Sequence, residues 1–145
     1  MRKKRAGTSR AEKHELVERA ASVKIRAYAP YSRFRVGAAL LTDEGDVFEG
    51  CNVENSSYSL TICAERNAVF QAVMSGRTSF RAIAISSDDD AFLPPCGACR
   101  QVLSEFSPSM EIILTNGRGK MKVLTLDALH PMPADLKMLA RAERQ

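Results

Sequence analysis

Three cysteines are spaced so that their sulfurs could converge on one metal ion. Cys96 and Cys99 form a Cys-x-x-Cys motif after two prolines, and Cys63 lies further upstream. The pattern predicts that Cys63 opens one helix and that Cys96 and Cys99 open another, where residues i and i+3 share a face. The partial positive charge at a helix N-terminus favours the thiolate form that binds metal. We therefore expect three thiolates to bind one Zn²⁺ per chain.

Three protein ligands leave the fourth position of a tetrahedral zinc ion open, which is typical of catalytic rather than structural zinc sites. Water in that position becomes acidic, with a pKa of about 7. Glu65 follows Cys63 by two residues, and its side chain is long enough to take a proton from that water and return it to a substrate nitrogen. Arg66 is expected to donate to a thiolate and so offset the excess negative charge of three thiolates around one Zn²⁺.

Other interpretations of the cysteines and histidines stay open at this point. A Cys-x-x-Cys pair alone also fits a redox pair or simple packing, and four cysteines could form two disulfides. No hydrophobic segment of a secretory signal follows the basic N-terminus, and a reducing compartment favours a metal site over disulfides. Cys51, late in a predicted strand, is expected to be a buried small hydrophobe. His14 and His130 are expected to be surface or structural residues rather than ligands.

Helix and strand signals alternate along the chain in an order that predicts a mixed sheet. Residues 9–12, Ser-Arg-Ala-Glu, form a capping box that opens a first helix, which Pro30 closes. Strand–helix–strand order implies at least one parallel pair, and a hairpin adds an antiparallel pair. The predicted fold class is therefore α/β, a three-layer α-β-α arrangement with a mixed, roughly five-stranded central sheet. The strands are predicted at 34–41, 47–51, 81–86, 111–115 and 121–125, and further helices at 63–75 and 97–106.

Length and charge are typical of a single globular domain. The 145 residues, of which 45% are hydrophobic, suffice for one buried core. Five of the 21 basic residues lie in residues 1–10, and the other 16 are balanced by 17 acidic ones. We expect a disordered basic tail at 1–10, a single domain at 11–132 and a C-terminal tail with helical potential at 133–145. A nucleic-acid binder would need a net positive charge on its folded domain, and a membrane span would need about 20 apolar residues. The sequence shows neither feature, so neither nucleic acid nor a membrane is predicted as a partner.

The sequence resembles the zinc nucleoside deaminases, in particular the small cytidine deaminases. The resemblance rests on C-A-E-R at residues 63–66 and P-C-G-A-C-R-Q-V at residues 95–102, the zinc signature of that family in its three-cysteine form. It extends to residues 31–40 and 51–55 and covers about residues 12–131. It implies a zinc hydrolase that deaminates cytidine and deoxycytidine to uridine and deoxyuridine plus ammonia, in pyrimidine salvage.

The resemblance also assigns residues to the nucleoside substrate. Asn52 and Glu54 would hydrogen-bond the ribose 3′-hydroxyl, since an amide and a carboxylate are suitable partners for a sugar hydroxyl. Phe34 would line the base pocket. The backbone at Ala64 and the side chain of Glu65 would recognise the edge of the pyrimidine.

Assembly and location are likewise implied by the resemblance. Tyr31 and Tyr58 match tyrosines that family members place near subunit borders, where one subunit helps to complete its neighbour's site. The expected protein is a cytoplasmic homotetramer that binds a small-molecule nucleoside. Ordinary half-buried tyrosines are the alternative interpretation of both positions.

One departure from the family concerns the residue that covers the base. Family members commonly continue with Leu-Leu-Pro and then an aromatic residue, whereas residues 129–136 are L-H-P-M-P-A-D-L and no aromatic follows Phe106. Met132, Leu136 or His130 would have to cover the base, and an aliphatic lid discriminates less than an aromatic stack. A second interpretation is therefore a deaminase of modified cytidines or of a nucleoside antibiotic of the blasticidin S type. A third interpretation is a nucleic-acid binder with structural zinc. It would need a fourth zinc ligand, which the sequence does not show.

Overall fold

A computed structural model of the protein describes residues 7–137, and its elements follow the predicted order. The α-helices are α1 (Arg10–Val23), α2 (Ala64–Met74), α3 (Gly97–Phe106) and α4 (Leu126–Leu129). The strands are β1 (Val36–Thr42), β2 (Val47–Cys51), β3 (Phe80–Ser87), β4 (Glu111–Thr115) and β5 (Met121–Thr125). Short 3₁₀ turns occur at Lys24–Arg26 and Tyr58–Leu60.

The five strands form one mixed sheet in the order β2-β1-β3-β4-β5. Strands β3 and β4 are parallel, and the other neighbouring pairs are antiparallel. Side chains alternate along β1: Ala39 and Leu41 pack against α1, whereas Ala38 and Leu40 pack on the side of α2 and α3. Burial on both faces explains why β1 is an almost continuous apolar run. The predicted three-layer α/β fold is thus confirmed.

Two predicted element boundaries are wrong by two residues or more. Helix α1 ends at Val23, well before Pro30, because the chain becomes extended at Tyr28 and forms a bridge with Val53. Strand β1 begins at Val36, two residues later than predicted. The residues just before β1 are held by side-chain hydrogen bonds from the segment after β2 instead of by strand pairing.

The start of the chain is packed against the sheet. The predicted capping box is present, since the side chains of Ser9 and Glu12 each accept a hydrogen bond from the other's N–H group. Thr8 is buried, and its N–H donates to the Glu111 carboxylate at 3.0 Å. Within the predicted tail, Thr8 is thus packed against the sheet, Ser9 caps α1, and Arg10 is the first residue of that helix. Residues 1–6 and 138–145, the outer parts of the two predicted tails, lie outside the described residues.

Close packing fixes the start of α2 against β2. A Cβ atom at Gly50 would lie 2.4 Å from the carbonyl oxygen of Ala64, so only glycine fits there. The side-chain amides of Asn67 and Gln71 donate to carbonyls of β2, each at 2.8 Å. The position of Cys63, the residue before α2, is therefore set by the edge of the sheet.

The segment before α3 is held in a similar way. Cys96 follows the carboxyl end of β3, the end at which parallel α/β sheets place their sites. Arg100 donates through Nε to the Pro95 carbonyl at 2.7 Å and through Nη1 to the Leu129 carbonyl at 2.9 Å. One guanidinium thus ties the loop before Cys96 to the end of α4. Within residues 7–137, none of the helices has the length and apolar character needed to cross a membrane.

Candidate active site

The structure brings together the three cysteines that were predicted to bind zinc. Cys63 is the N-cap of α2, Cys96 is the N-cap of α3, and Cys99 lies in the first turn of α3. The Sγ atom of Cys96 lies 3.8 Å from that of Cys63 and 3.4 Å from that of Cys99. A disulfide needs a sulfur separation of about 2.05 Å, so the thiols are free and disulfide pairing among them is excluded.

The sulfur positions fit a zinc ion. Tetrahedral coordination with Zn–S bonds of about 2.3 Å places sulfurs about 3.8 Å apart. The pKa of Cys63 is lowered to about 5, first by a hydrogen bond from Cys99 and then by the guanidinium of Arg66. The pKa of Cys99 is raised, because this thiol donates to Cys63 and is buried. One thiolate is therefore formed in advance, and metal binding would displace the remaining protons.

Glu65 brings a carboxyl group to the same cluster. It lies in the first turn of α2 and is only 4% exposed. Burial raises its pKa to about 7, and a hydrogen bond with Cys99 places the carboxyl beside the sulfurs. A carboxyl group that titrates near neutrality can both accept and release a proton, which is what general acid–base catalysis requires.

Arg66 supplies positive charge behind the cluster. Its Nη2 donates to the sulfur of Cys63 at 3.5 Å, and this bond raises the pKa of the guanidinium. Its Nε is buried and has no hydrogen-bond partner within residues 7–137. The guanidinium is thus directed at the sulfurs, as charge balance around three thiolates requires.

Asn52 and Glu54 are buried and anchor the chain that leads into β1. The Asn52 amide accepts from the Val36 N–H and donates to the Phe34 carbonyl, both at 2.8 Å. The Glu54 carboxylate accepts from two backbone N–H groups and from the Ser32 hydroxyl. Toward the part of the chain that the structure describes, each side chain keeps unused capacity: one N–H and one lone pair on the amide, and about one lone-pair direction on the carboxylate. Both can therefore bind one more hydroxyl group.

Residues 10–115 match the family model for the cytidine and deoxycytidylate deaminase zinc-binding region. The cytidine deaminase of Sporosarcina psychrophila is 45% identical, over 90% of this chain and 97% of that protein. The structure of cytidine deaminase from Burkholderia pseudomallei has a TM-score of 0.81 at 48% identity, covering 83% of this chain and 98% of that one. The structure of cytidine deaminase from Mycobacterium tuberculosis has a TM-score of 0.73 at 39% identity, covering 84% of this chain and 96% of that one. The chain belongs to the cytidine and deoxycytidylate deaminase family.

The remaining residues assigned by resemblance to this deaminase family differ in exposure. Ala64 is fully buried in the first turn of α2, next to Glu65. Phe34 is half-buried and packs against the core on the α2 side of the sheet. Tyr31 and Tyr58 are 49% and 62% exposed, so their own chain encloses neither ring.

The segment that follows α4 is attached to α3. The Gln101 side chain donates to the Ala134 carbonyl at 2.9 Å and lies 3.1 Å from Nε2 of His130. Met132 and Leu136 are 90% and 78% exposed. Of the three candidates for covering the base, His130 is thus held by Gln101, and the other two are free of their own chain's core.

Sequence reasoning missed Ser32 and Gln101, although both lie in the segments that resemble the deaminase family. The side chain of each makes a hydrogen bond to a residue more than twenty positions away, and spacing alone gives no sign of that contact. The one available signal at Ser32 is a serine in a turn after Pro30-Tyr31, where hydroxyls commonly bond to nearby backbone.

Proposed function

We propose that the protein is a zinc-dependent hydrolase that deaminates cytidine and deoxycytidine to uridine and deoxyuridine, with release of ammonia. The observation that carries the proposal is the buried Glu65 carboxyl hydrogen-bonded within a cluster of three thiols. Family membership and the identity with curated cytidine deaminases support the same reaction. The three cysteines of the cluster would hold one zinc ion per chain.

When bound, zinc supplies Lewis acidity that lowers the pKa of water toward about 7. In the hydrolysis a C–O bond forms at ring carbon 4 of cytosine and the C–N bond to the amino group breaks. Both protons of the attacking water must be moved: one reaches ring nitrogen 3, and the other reaches the departing amino nitrogen, which leaves as ammonia. We assign both transfers to Glu65, because its carboxyl group is hydrogen-bonded to Cys99 and burial raises its pKa to about 7. Arg66 holds the thiolate of Cys63 and balances the charge of the sulfurs.

We assign substrate recognition to the residues around this cluster. The free N–H of the Asn52 amide and the free lone pair of the Glu54 carboxylate would bind the 3′-hydroxyl from its two sides. Phe34, whose carbonyl Asn52 holds, would line the base pocket. The backbone at Ala64 and the Glu65 carboxyl would read the edge of the pyrimidine.

We also propose a cytoplasmic homotetramer that acts in pyrimidine salvage. Tyr31 lies next to the Glu54 carboxylate, yet its ring is half exposed, as is that of Tyr58. A neighbouring subunit that covers these rings would explain their exposure and would complete the sugar end of the site. Three metal-binding thiolates favour a reducing compartment, since an oxidising one would pair them as disulfides.

A second candidate function is deamination of modified cytidines or of a nucleoside antibiotic of the blasticidin S type. The exposed aliphatic side chains of Met132 and Leu136 favour it, in a chain with no aromatic after Phe106. Such side chains could tolerate substituents on the ring or on its amino group that a stacked aromatic would exclude.

Ammonia release from a panel of substrates tests these proposals. Cytidine and deoxycytidine should both turn over, and free cytosine should be a very poor substrate because it lacks the sugar that Asn52 and Glu54 would bind. Cytidine 3′-monophosphate should also be poor, since the Glu54 carboxylate repels its phosphate. Turnover of blasticidin S or of N4- or C5-substituted cytidines alone would favour the second candidate. No ammonia from any of these compounds with the zinc-loaded protein would contradict both.

A further inference from the structure

The turn before β1 is organised around one serine hydroxyl. Glu54 Oε1 accepts hydrogen bonds from the N–H groups of Tyr31 at 3.0 Å and of Ser32 at 3.1 Å. The Ser32 hydroxyl donates to Glu54 Oε2 and accepts from the Phe34 N–H at 3.0 Å. One hydroxyl group therefore contacts both the carboxylate assigned to the sugar and the main chain of the residue assigned to the base.

Burial makes these hydrogen bonds important for Glu54. The residue is only 6% exposed, so protein donors must replace the water that would otherwise solvate the carboxylate. The hydrogen bond from the Ser32 hydroxyl is the main cause that lowers the pKa of Glu54. The group therefore stays ionised and acts only as an acceptor, with about one lone-pair direction left for an incoming O–H.

The backbone next to Ser32 is held in an uncommon conformation. Arg33 has a φ of 57°, in the left-handed region that residues other than glycine rarely adopt. Its N–H donates to the Ala29 carbonyl at 3.0 Å and closes the turn. Such a conformation is unfavourable and persists where its surroundings hold it, often at functional sites. Here it directly follows the serine whose N–H and hydroxyl both donate to the Glu54 carboxylate.

We propose that Ser32 is a positioning residue that orients the Glu54 carboxylate toward the 3′-hydroxyl of the substrate's sugar. The inference rests on the proposed nucleoside deaminase function and adds a residue that acts through Glu54. Without the Ser32 hydroxyl, Oε2 loses the one side-chain donor that it has within residues 7–137. The carboxylate would then rotate so that Oε2 finds another hydrogen-bond donor, and this rotation would turn it away from the sugar.

The test compares cytidine with 3′-deoxycytidine, which lacks the hydroxyl that Glu54 would bind. Ser32→Ala should lower kcat/KM for cytidine about tenfold, mainly through KM. On 3′-deoxycytidine it should change kcat/KM by less than about twofold. Ser32→Thr, which keeps a hydroxyl, should restore most of the activity on cytidine. Ser22→Ala, at an exposed position of α1, is the matched control and should leave kcat/KM unchanged for both substrates.

A double variant completes the experiment. In a Glu54→Gln background, Ser32→Ala should lower kcat/KM for cytidine only slightly further, because the two residues act as a unit. The ratio between two substrates on one preparation does not depend on the fraction of folded, zinc-loaded enzyme. An equal loss on both substrates, a loss additive with Glu54→Gln, or a Ser32→Ala protein that does not fold would overturn the positioning role. A wild-type protein that is inactive on cytidine would instead overturn the proposed function.

Discussion

At the scale of single residues, we assign metal binding and proton transfer to different groups. Glu65→Gln keeps the size and much of the hydrogen bonding of the side chain but removes its ability to carry a proton. Because the proposed zinc ligands are thiols, zinc content should stay near one per chain, while kcat for cytidine should fall about 10²- to 10⁴-fold. Metal analysis and steady-state kinetics on the same preparation measure both quantities.

The matched control for this variant is Glu18→Gln, at an exposed position of α1. It removes one carboxylate far from the cluster and should change neither zinc content nor turnover. A zinc-replete Glu65→Gln protein with nearly full activity would refute the role given to Glu65.

The two halves of the site differ in how far the sequence predicts them. The clustering of Cys63, Cys96 and Cys99 was predictable because it depends on helix N-termini and an i, i+3 spacing, which are local features. The contact between Ser32 and Glu54 joins residues 22 positions apart through a turn with a left-handed residue. No propensity or periodicity predicts that turn. The roles of Asn52 and Glu54 toward substrate stay predictions.

At the scale of elements, the contact between β2 and the start of α2 decides where Cys63 lies. A Cβ atom added at Gly50 would lie 2.4 Å from the Ala64 carbonyl oxygen and 2.5 Å from the Ala68 nitrogen. Both are backbone atoms of α2, so relief requires the helix to move. Gly50→Ala should therefore destabilise the fold by about 1–3 kcal/mol and reduce zinc content. Urea unfolding and metal analysis measure the two effects.

Gly97→Ala is the comparison for this substitution. Gly97 opens α3, and an added Cβ atom would have no atom within 4 Å. Alanine is the better helix former, so stability should be unchanged or should rise by up to about 1 kcal/mol. If Gly50→Ala matched Gly97→Ala in stability and zinc content, the helix would not depend on this close approach.

The ends of helices and strands were predicted well where local sequence signals mark them. They were predicted poorly where side chains from distant parts of the chain determine them. Strands β2, β4 and β5 and helix α3 have the predicted bounds, since turn residues or prolines flank them. The start of β1 was misplaced because Asn52 and Glu54, from the other side of a hairpin, hold the preceding residues. Apolar alternation at Phe34 looks like strand in the sequence but serves an irregular segment in the fold.

At the scale of the whole molecule, large apolar side chains remain exposed in the segments that adjoin β2. Tyr28 and Val53 form a bridge to each other, and Tyr58 and Leu60 share a 3₁₀ turn shortly after it. All four are between 45% and 62% exposed. We call these four residues the apolar patch. Exposed apolar surface of this kind is typical of a protein–protein interface, which agrees with the proposed homotetramer.

Leu60→Glu, which places a charge in the apolar patch, tests this assembly. Light scattering coupled to gel filtration should give the wild type a mass of about four times 15.9 kDa and the variant a smaller one. Activity should fall with the mass, because Tyr58 of the same turn would no longer reach a neighbouring site. Val123→Glu, on β5 at the opposite edge of the sheet, is the control variant, which should keep the mass and the activity of the wild type. A fully active wild-type monomer at assay concentration would contradict the tetramer, and a tetrameric Leu60→Glu protein would place the interface elsewhere.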